Sequence, residues 1–286
     1  MDDFVMNSNS PHPLADPPRR ASHPLEGPDA QQAAELETET QREAPIMLLT
    51  TRNLYWTPLL IGLNLVIFVL AMFSPQMEAW LFINGAAQTQ AVLGDLELHR
   101  LFTAMFLHAN IAHIFFNMYA LWIIGGSLER IVGPTRFILI YLLGGLAGPV
   151  ASVLLGQYGA GSVGASGAVF AVWGAELLHV YQHRSLYRSA ARSVLQNSAV
   201  LLVMNLLIGL APGSRIDTWG HLGGLVGGAV LAYLIGPRFE VQWLESQMAR
   251  QVIFRDLQPL ADRLPMLALY VGGLLLLVIF GILFVV

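Results

Sequence analysis

The chain has 286 residues, is 55% hydrophobic and 12% charged, and carries a formal net charge of −4. A mean hydropathy of +0.57, with roughly half the charge fraction of a soluble domain, puts it in the membrane class, and the lack of any basic block excludes nucleic acid as a partner. There is no cysteine, which excludes disulfides, thiol catalysis and Cys-ligated metals.

Residues 1–45 are polar and proline-rich ("SPHPLADPPRRASHPLEGPDAQQ") and lack apolar periodicity. They read as a disordered cytoplasmic tail. No apolar run near the start resembles a signal peptide, so the tail is expected to remain attached.

Hydropathy then marks seven spans, at 57–73, 110–128, 135–155, 166–182, 194–211, 218–236 and 265–286. The arginines alternate. Arg42 and Arg52 precede the first span, Arg130 and Arg136 follow the second, Arg184, Arg188 and Arg192 follow the fourth, and Arg238, Arg250, Arg255 and Arg263 follow the sixth. The other loops hold only Arg100 and Arg215. By the positive-inside rule the N-terminus is cytoplasmic and the C-terminus outside. Compact size and the lack of a transit peptide point to a prokaryotic plasma membrane.

Two loops carry apolar residues. Residues 74–107 form a long outer connection in which "MEAWLFING" is expected to lie on the membrane surface. Residues 239–257 place Trp243 or Leu244, Met248, Val252 and Ile253 at helical spacing, which predicts an interfacial amphipathic helix within a cytoplasmic linker over 237–263. The seventh span is almost free of hydrogen-bonding side chains and reads as a lipid-facing appendage over 264–286.

Strongly polar side chains inside spans are costly in lipid, so each is a functional candidate. "HANIAHIFFN" opens span two, Ser166 opens span four and His221 in "DTWGHLGGLVGG" opens span six. All three spans begin on the outer side, so His108, His113, Asn117, Ser166 and His221 share one depth. From Ser166 to Leu178 is roughly 20 Å of helix in a hydrocarbon core about 30 Å thick. Ser166 is therefore sunk roughly 10 Å below the outer surface. The preceding "GQYGAGSVGA" must reach it as non-helical backbone, which is tolerated only around a protein-lined or watery cavity.

These residue types suit acyl transfer. A serine hydroxyl needs an adjacent base, and histidine, whose ordinary pKa is near working pH, is the commonest. His113 and Asn117, four apart on one helix face, suit an oxyanion site. That leaves Ser166 and His221 as nucleophile and base. No Asp lies on a span near His221, and Asp217 is on the loop side, so a dyad is expected rather than a triad. Glu176 and His179, toward the cytoplasmic half of span four, read as structural; Glu129 is expected to anchor the inner end of span two. The glycines of span six read as packing residues that bring His221 to Ser166.

Over residues 54–236 the chain resembles a rhomboid intramembrane serine protease. The family's His-x4-His-x3-Asn pattern is present as His108, His113 and Asn117, its Gly-x-Ser-Gly motif as Gly164 to Gly167, and its late histidine with following glycines as His221, Gly224 and Gly228. "GGSLERIVG" is similar to the family's Gly-Gly-x-x-Glu stretch. The resemblance implies an all-α polytopic membrane protein, a six-helix core plus a C-terminal seventh transmembrane helix. It further implies that Ser166 attacks a peptide bond of a transmembrane protein substrate with His221 as base. The oxyanion would be held by His113, Asn117 and the Ser166 N–H, with His108 structural or substrate-supporting. Phe170 stands where the family often has a tyrosine that stacks on the base, and His99-Arg100 where it has Trp-Arg. Membrane lipid is the other implied partner; neither cofactor nor metal is implied. An HExxH helix, paired intramembrane aspartates and an inverted repeat are absent, which leaves a catalytically silent, client-binding rhomboid-like protein as the alternative.

Overall fold

The computed structural model describes residues 53–156, 161–187, 189–245 and 250–285. The expected tail over 1–45 lies outside the described residues. Helices fall on every predicted span: α1 (Trp56–Met72), then α2 (Pro75–Gly85) in the long connection that follows, α3 (Ile111–Val132) and α4 (Pro134–Leu155), α5 (Ser166–Gln182), α6 (Ser189–Gly209), α7 (Thr218–Ile235) and α8 (Leu264–Phe284). Among the described residues five helices, α3, α4, α6, α7 and α8, are long and apolar enough to cross a membrane. With α1 and α5 at 17 residues each, this is an all-α, multi-pass integral membrane protein.

Several helix starts follow from local capping chemistry. Ser74 caps α2 ahead of Pro75, its Oγ accepting from Met77 N at 3.3 Å. Asn110 caps α3 by accepting from His113 N at 2.8 Å, and Asp217 caps α7 by accepting from Gly220 N at 2.8 Å. Helix α1 has no such side chain. Its N-terminal donors Tyr55 N, Trp56 N and Thr57 N, with Thr57 Oγ1, all donate to the buried Glu129 carboxylate at 2.7–2.9 Å. A negative group at a helix N-terminus satisfies otherwise orphaned N–H groups. Glu129 thus anchors the end of α3 by receiving the start of α1.

The centre is α5, whose residues Gly167 to Ala175 are all buried. It is flanked by α4 and α7, and the three meet through small residues. A Cβ on Gly224 would lie 2.1 Å from Gly167 O, one on Gly228 2.0 Å from Ala171 O, and one on Gly174 2.1 Å from Leu225 O. From α4, Gly148 packs against Gly167 Cα and Gly220 O, and Gly145 against Ala168. Only small side chains let helix backbones approach this closely. Helix α6 is far less enclosed, with only Ala191 and Ser198 buried. Helix α8 exposes Leu269, Leu276, Phe280 and Leu283 but buries Tyr270 and Val278, and Tyr270 Oη donates to Leu143 O at 3.3 Å.

In the connection between α1 and α3, α2 exposes an apolar face of Met77, Trp80 and Ile83. His99, Arg100 and Thr103 complete its C-terminal end. Arg100 donates to Ile83 O and Ala86 O, Thr103 Oγ1 to Gly85 O at 2.9 Å, and His99 Nε2 is 3.2 Å from Asn84 O. These carbonyls have no partner within the helix.

One expectation is corrected. Residues 239–257 do not form an amphipathic helix: β3 (Phe239–Glu245) pairs antiparallel with β4 (Arg250–Asp256), with Val241 opposite Phe254 and Trp243 opposite Val252. Phe239, Val241 and Trp243 alternate with polar residues, a period of two that suits β-rich side chains better than a helix. Met248 lies outside the described residues. The hairpin base is held by Asp256, which pairs with Arg136 at 2.8 Å and accepts from Arg238 N at 3.1 Å. His183 Nε2 also accepts from Phe239 N there, at 3.1 Å.

Candidate active site

Ser166 is the first residue of α5. The chain reaches it through a short strand, β2 (Gly161–Ser162), paired antiparallel with β1 (Ala87–Gln88) of the connection between α1 and α3. Gly164 N donates to Ala104 O at 2.9 Å and Ala165 N to His108 Nε2 at 3.4 Å. Gly164 has φ +121°, and a Cβ there would lie 2.6 Å from the His113 ring. Both conditions call for glycine. Val169 N is the first to bond back along the helix, to Ala165 O at 2.9 Å. The N–H groups of Ser166, Gly167 and Ala168 therefore have no carbonyl within α5, and they form the positive end of its dipole. A small cleft beside Ser166 is lined by Gly148, Pro149, Gly164, Gly167 and Gly220.

The first turn of α3 supplies the opposite wall. The Asn110 cap sets the helix start, and the His113 ring lies against Gly164, two residues before Ser166. His113 packs edge-on to His108 at 5.1 Å. One turn further on the same face, Asn117 is buried and donates one amide hydrogen to His113 O at 2.9 Å. The second amide hydrogen is available to a ligand. His108, through Ala165 N, braces the segment that presents Ser166.

His221 stands in the first turn of α7, with its N–H bonded to Asp217 O at 3.0 Å. Asp217 caps the helix through Oδ1, and its buried Oδ2 has no hydrogen-bond partner. The imidazole lies flat on Phe170, centroids 4.3 Å apart and planes at 11°. Phe170 is four residues beyond Ser166, on the same face of α5. Gly220, immediately before His221, packs through its carbonyl against Gly148 and Gly167, the latter immediately after Ser166. Ser166, His113, Asn117 and His221 thus converge on the N-terminal end of α5.

One polar residue there escaped the sequence reading. Asn205 on α6 places Oδ1 3.0 Å from His221 Nδ1. The signal was present, since Asn205 is a lone amide in the apolar run "AVLLVMNLLIGL", and an amide in lipid requires a partner. Glu176 and His179 are not brought to this group. His179 sits 13 residues along α5 from Ser166, about 20 Å away, and packs on His183 at 4.2 Å near the hairpin. Among the described residues no cluster of His, Asp and Glu side chains is arranged to hold a metal ion.

Comparison with known proteins bears on the same segment. The family profile described as "Rhomboid domain" matches residues 95–238. Rhomboid protease GluP of Bacillus subtilis (strain 168) is 35% identical over 202 residues, covering 70% of this chain and 39% of GluP. RHOMBOID-like protein 6, mitochondrial, of Arabidopsis thaliana is 36% identical over 167 residues, covering 58% of this chain and 53% of that protein. Putative rhomboid protease YdcA, also of Bacillus subtilis, is 29% identical over 181 residues, covering 59% of this chain and 87% of YdcA. The chain therefore spans about half the length, or less, of the first two relatives.

Proposed function

The chain belongs to the rhomboid family, and from that premise we propose that it is an intramembrane serine endopeptidase that cleaves transmembrane proteins near their outer membrane boundary. The observation that supports this best is the convergence at the N-terminal end of α5: the His221 ring lies on Phe170, one turn from Ser166 on the same helix face. Ser166 Oγ attacks the scissile carbonyl carbon while His221 Nε2 takes its proton. The oxyanion accepts hydrogen bonds from the Ser166 N–H, His113 and the free amide hydrogen of Asn117. Collapse breaks the C–N bond, with His221 returning the proton to the leaving amine. Water, deprotonated by His221 in turn, then hydrolyses the acyl-enzyme and restores Ser166.

With the N-terminus cytoplasmic in a prokaryotic plasma membrane, the scissile bond must reach Ser166 from a substrate helix or the segment just outside it. An intact helix ties its carbonyls into hydrogen bonds, so that segment must unwind. Glycine, proline or β-branched residues at or below the cut would help it do so. The glycine-lined cleft favours a small residue on the acyl side.

The test uses the full chain in proteoliposomes, with a serine-reactive fluorophosphonate and a single-span substrate whose new termini are read by mass spectrometry. Labelling and cleavage should fall to background in Ser166→Ala and in His221→Ala, with the double variant no worse than either, as expected for groups acting as a unit. Substantial cleavage by either single variant refutes the assignment. Cuts in the cytoplasmic half, or after bulky aromatic residues, refute the orientation and the pocket.

A further inference from the structure

Asn205 has no packing reason to be where it is. It lies on α6, a helix that buries only Ala191 and Ser198, within an otherwise apolar run. A primary amide facing hydrocarbon is unfavourable unless its polar atoms find partners. Its partner is His221 Nδ1, at 3.0 Å. A second polar tie between α6 and the core, Ser198 Oγ accepting from Trp173 Nε1 at 3.2 Å, is two turns away and involves no titratable group.

The atom that faces the ring carries the argument. Asn205 presents Oδ1, and a carbonyl oxygen only accepts. The Nδ1 of His221 must therefore carry the hydrogen, which leaves the lone pair of a neutral imidazole on Nε2. Phe170 fixes the plane of the ring but cannot distinguish its two nitrogens. Asp217, the group from which such a bond would ordinarily be expected, caps α7 through Oδ1 and makes no hydrogen bond to the ring with its buried Oδ2. The charged or titratable groups within electrostatic reach of the ring are Asp217 on its own helix and His113 across the site; neither bonds Nδ1.

We propose that Asn205 is a positioning residue for the base: its side-chain carbonyl accepts the Nδ1 hydrogen of His221 and holds the ring in the tautomer whose Nε2 lone pair serves Ser166. This rests on the reading of Ser166 and His221 as nucleophile and base. When Nε2 takes the serine proton, the same carbonyl dipole already points at the imidazolium and needs no reorganisation. Because the amide is neutral, its contribution is smaller than that of a triad carboxylate. A loss on the order of 10- to 100-fold in kcat is expected, part of the 10²–10⁴ that a general base supplies.

The experiment compares Asn205→Leu, nearly isosteric and without polar atoms, with Asn205→Asp, which keeps an acceptor and loses the donor. Cleavage of one single-span substrate by the full chain in proteoliposomes is followed from pH 5 to 9, separating kcat from KM, and thermal unfolding checks integrity. Asn205→Leu should lose roughly 10- to 100-fold in kcat with KM unchanged. Asn205→Asp should retain activity, and the acid limb of its kcat profile should move to higher pH, because a carboxylate beside Nδ1 favours the imidazolium. A residue that merely ties two helices through its amide hydrogens would behave oppositely: the Asp variant would lose the tie and be as impaired as the Leu variant. That result, or a wild-type pH profile in Asn205→Asp, overturns the proposal even if Asn205→Leu fails to fold. Ser166→Ala and His221→Ala are assayed alongside. If either retains activity, the dyad reading itself has failed; if both are inactive while Asn205→Leu keeps wild-type kcat, only the role of Asn205 has.

Discussion

Replacing Gly224 by alanine adds one methyl group and touches no reacting atom, yet it should cripple catalysis. The new Cβ would lie 2.1 Å from Gly167 O, where contacts under 3.0 Å essentially never occur, so α7 must retreat from α5 by about 0.9 Å to reach even that limit. The Gly167 oxygen is backbone inside a helix and cannot swing aside. His221 is three residues before Gly224 and moves with α7, whereas Ser166 stays with α5. A misplacement of about 1 Å between reacting groups costs on the order of 100-fold, equivalent to about 2.7 kcal/mol of barrier. The loss of stability should be smaller, about 0–2 kcal/mol. Overpacking costs about 1–3 kcal/mol, but alanine is the better helix former by about 1 kcal/mol. Gly272→Ala on α8, where nothing lies within 4 Å of the added Cβ, is the matched control and should leave kcat/KM unchanged. The assay is kcat/KM for cleavage in proteoliposomes with thermal unfolding in parallel. Wild-type kcat/KM in Gly224→Ala would refute the claim that the α5–α7 approach sets the distance between Ser166 and His221.

Further outcomes follow from other contacts. Asn117→Ala should lower kcat by about 10- to 1,000-fold with little change in KM, since one oxyanion donor of several is lost; a pure KM effect in steady-state cleavage would instead assign Asn117 to substrate binding. Glu129→Ala orphans the four donors at the start of α1 and should destabilise the protein by about 2–4 kcal/mol, with Glu129→Gln milder. Unaltered thermal unfolding of Glu129→Ala would contradict the cap. Burial holds the His183 imidazole below its usual pKa of 6.5, with the hydrogen bond to His179 O opposing the effect. A depressed histidine favours folding above the unfolded value and loses that contribution as pH falls through the folded one. Because Nε2 accepts from Phe239 N, hydrogen exchange at the Phe239 amide should accelerate, relative to the core of α5, as pH falls through the lowered pKa of His183; constant relative protection would exclude this coupling.

The sequence misjudged one element and missed two partners, each for a definite reason. The helix expected over 239–257 rested on a few apolar residues at helical spacing, and the alternation of Phe239, Val241 and Trp243 outweighed it once Arg250–Asp256 could pair alongside. Glu129 was legible as a polar anchor, but not as the cap of a helix more than 70 residues earlier. Asn205 stood in plain view as an amide in an apolar run, yet its Cα periodicity does not say which way it faces.

Hydropathy, arginine placement and local caps are short-range properties. Span length, alternating loop charge and the capping of α2, α3 and α7 by Ser74, Asn110 and Asp217 each depend on residues a few positions apart, so the sequence by itself determined a multi-pass helical chain with Ser166, His113, Asn117 and His221 near the N-terminal ends of three of its helices. Which helix faces meet depends on how close two backbones can come. Only the packing of α4, α5 and α7 through Gly148, Gly167 and Gly224 decided that His221 lies flat on Phe170 and that Asn205 reaches its Nδ1. Those contacts join residues 16 to 51 positions apart, and no local energy term selects them. They form because glycine lets the carbonyl ridges of neighbouring helices touch, and dispersion and hydrogen bonding in a medium without water then favour that single register.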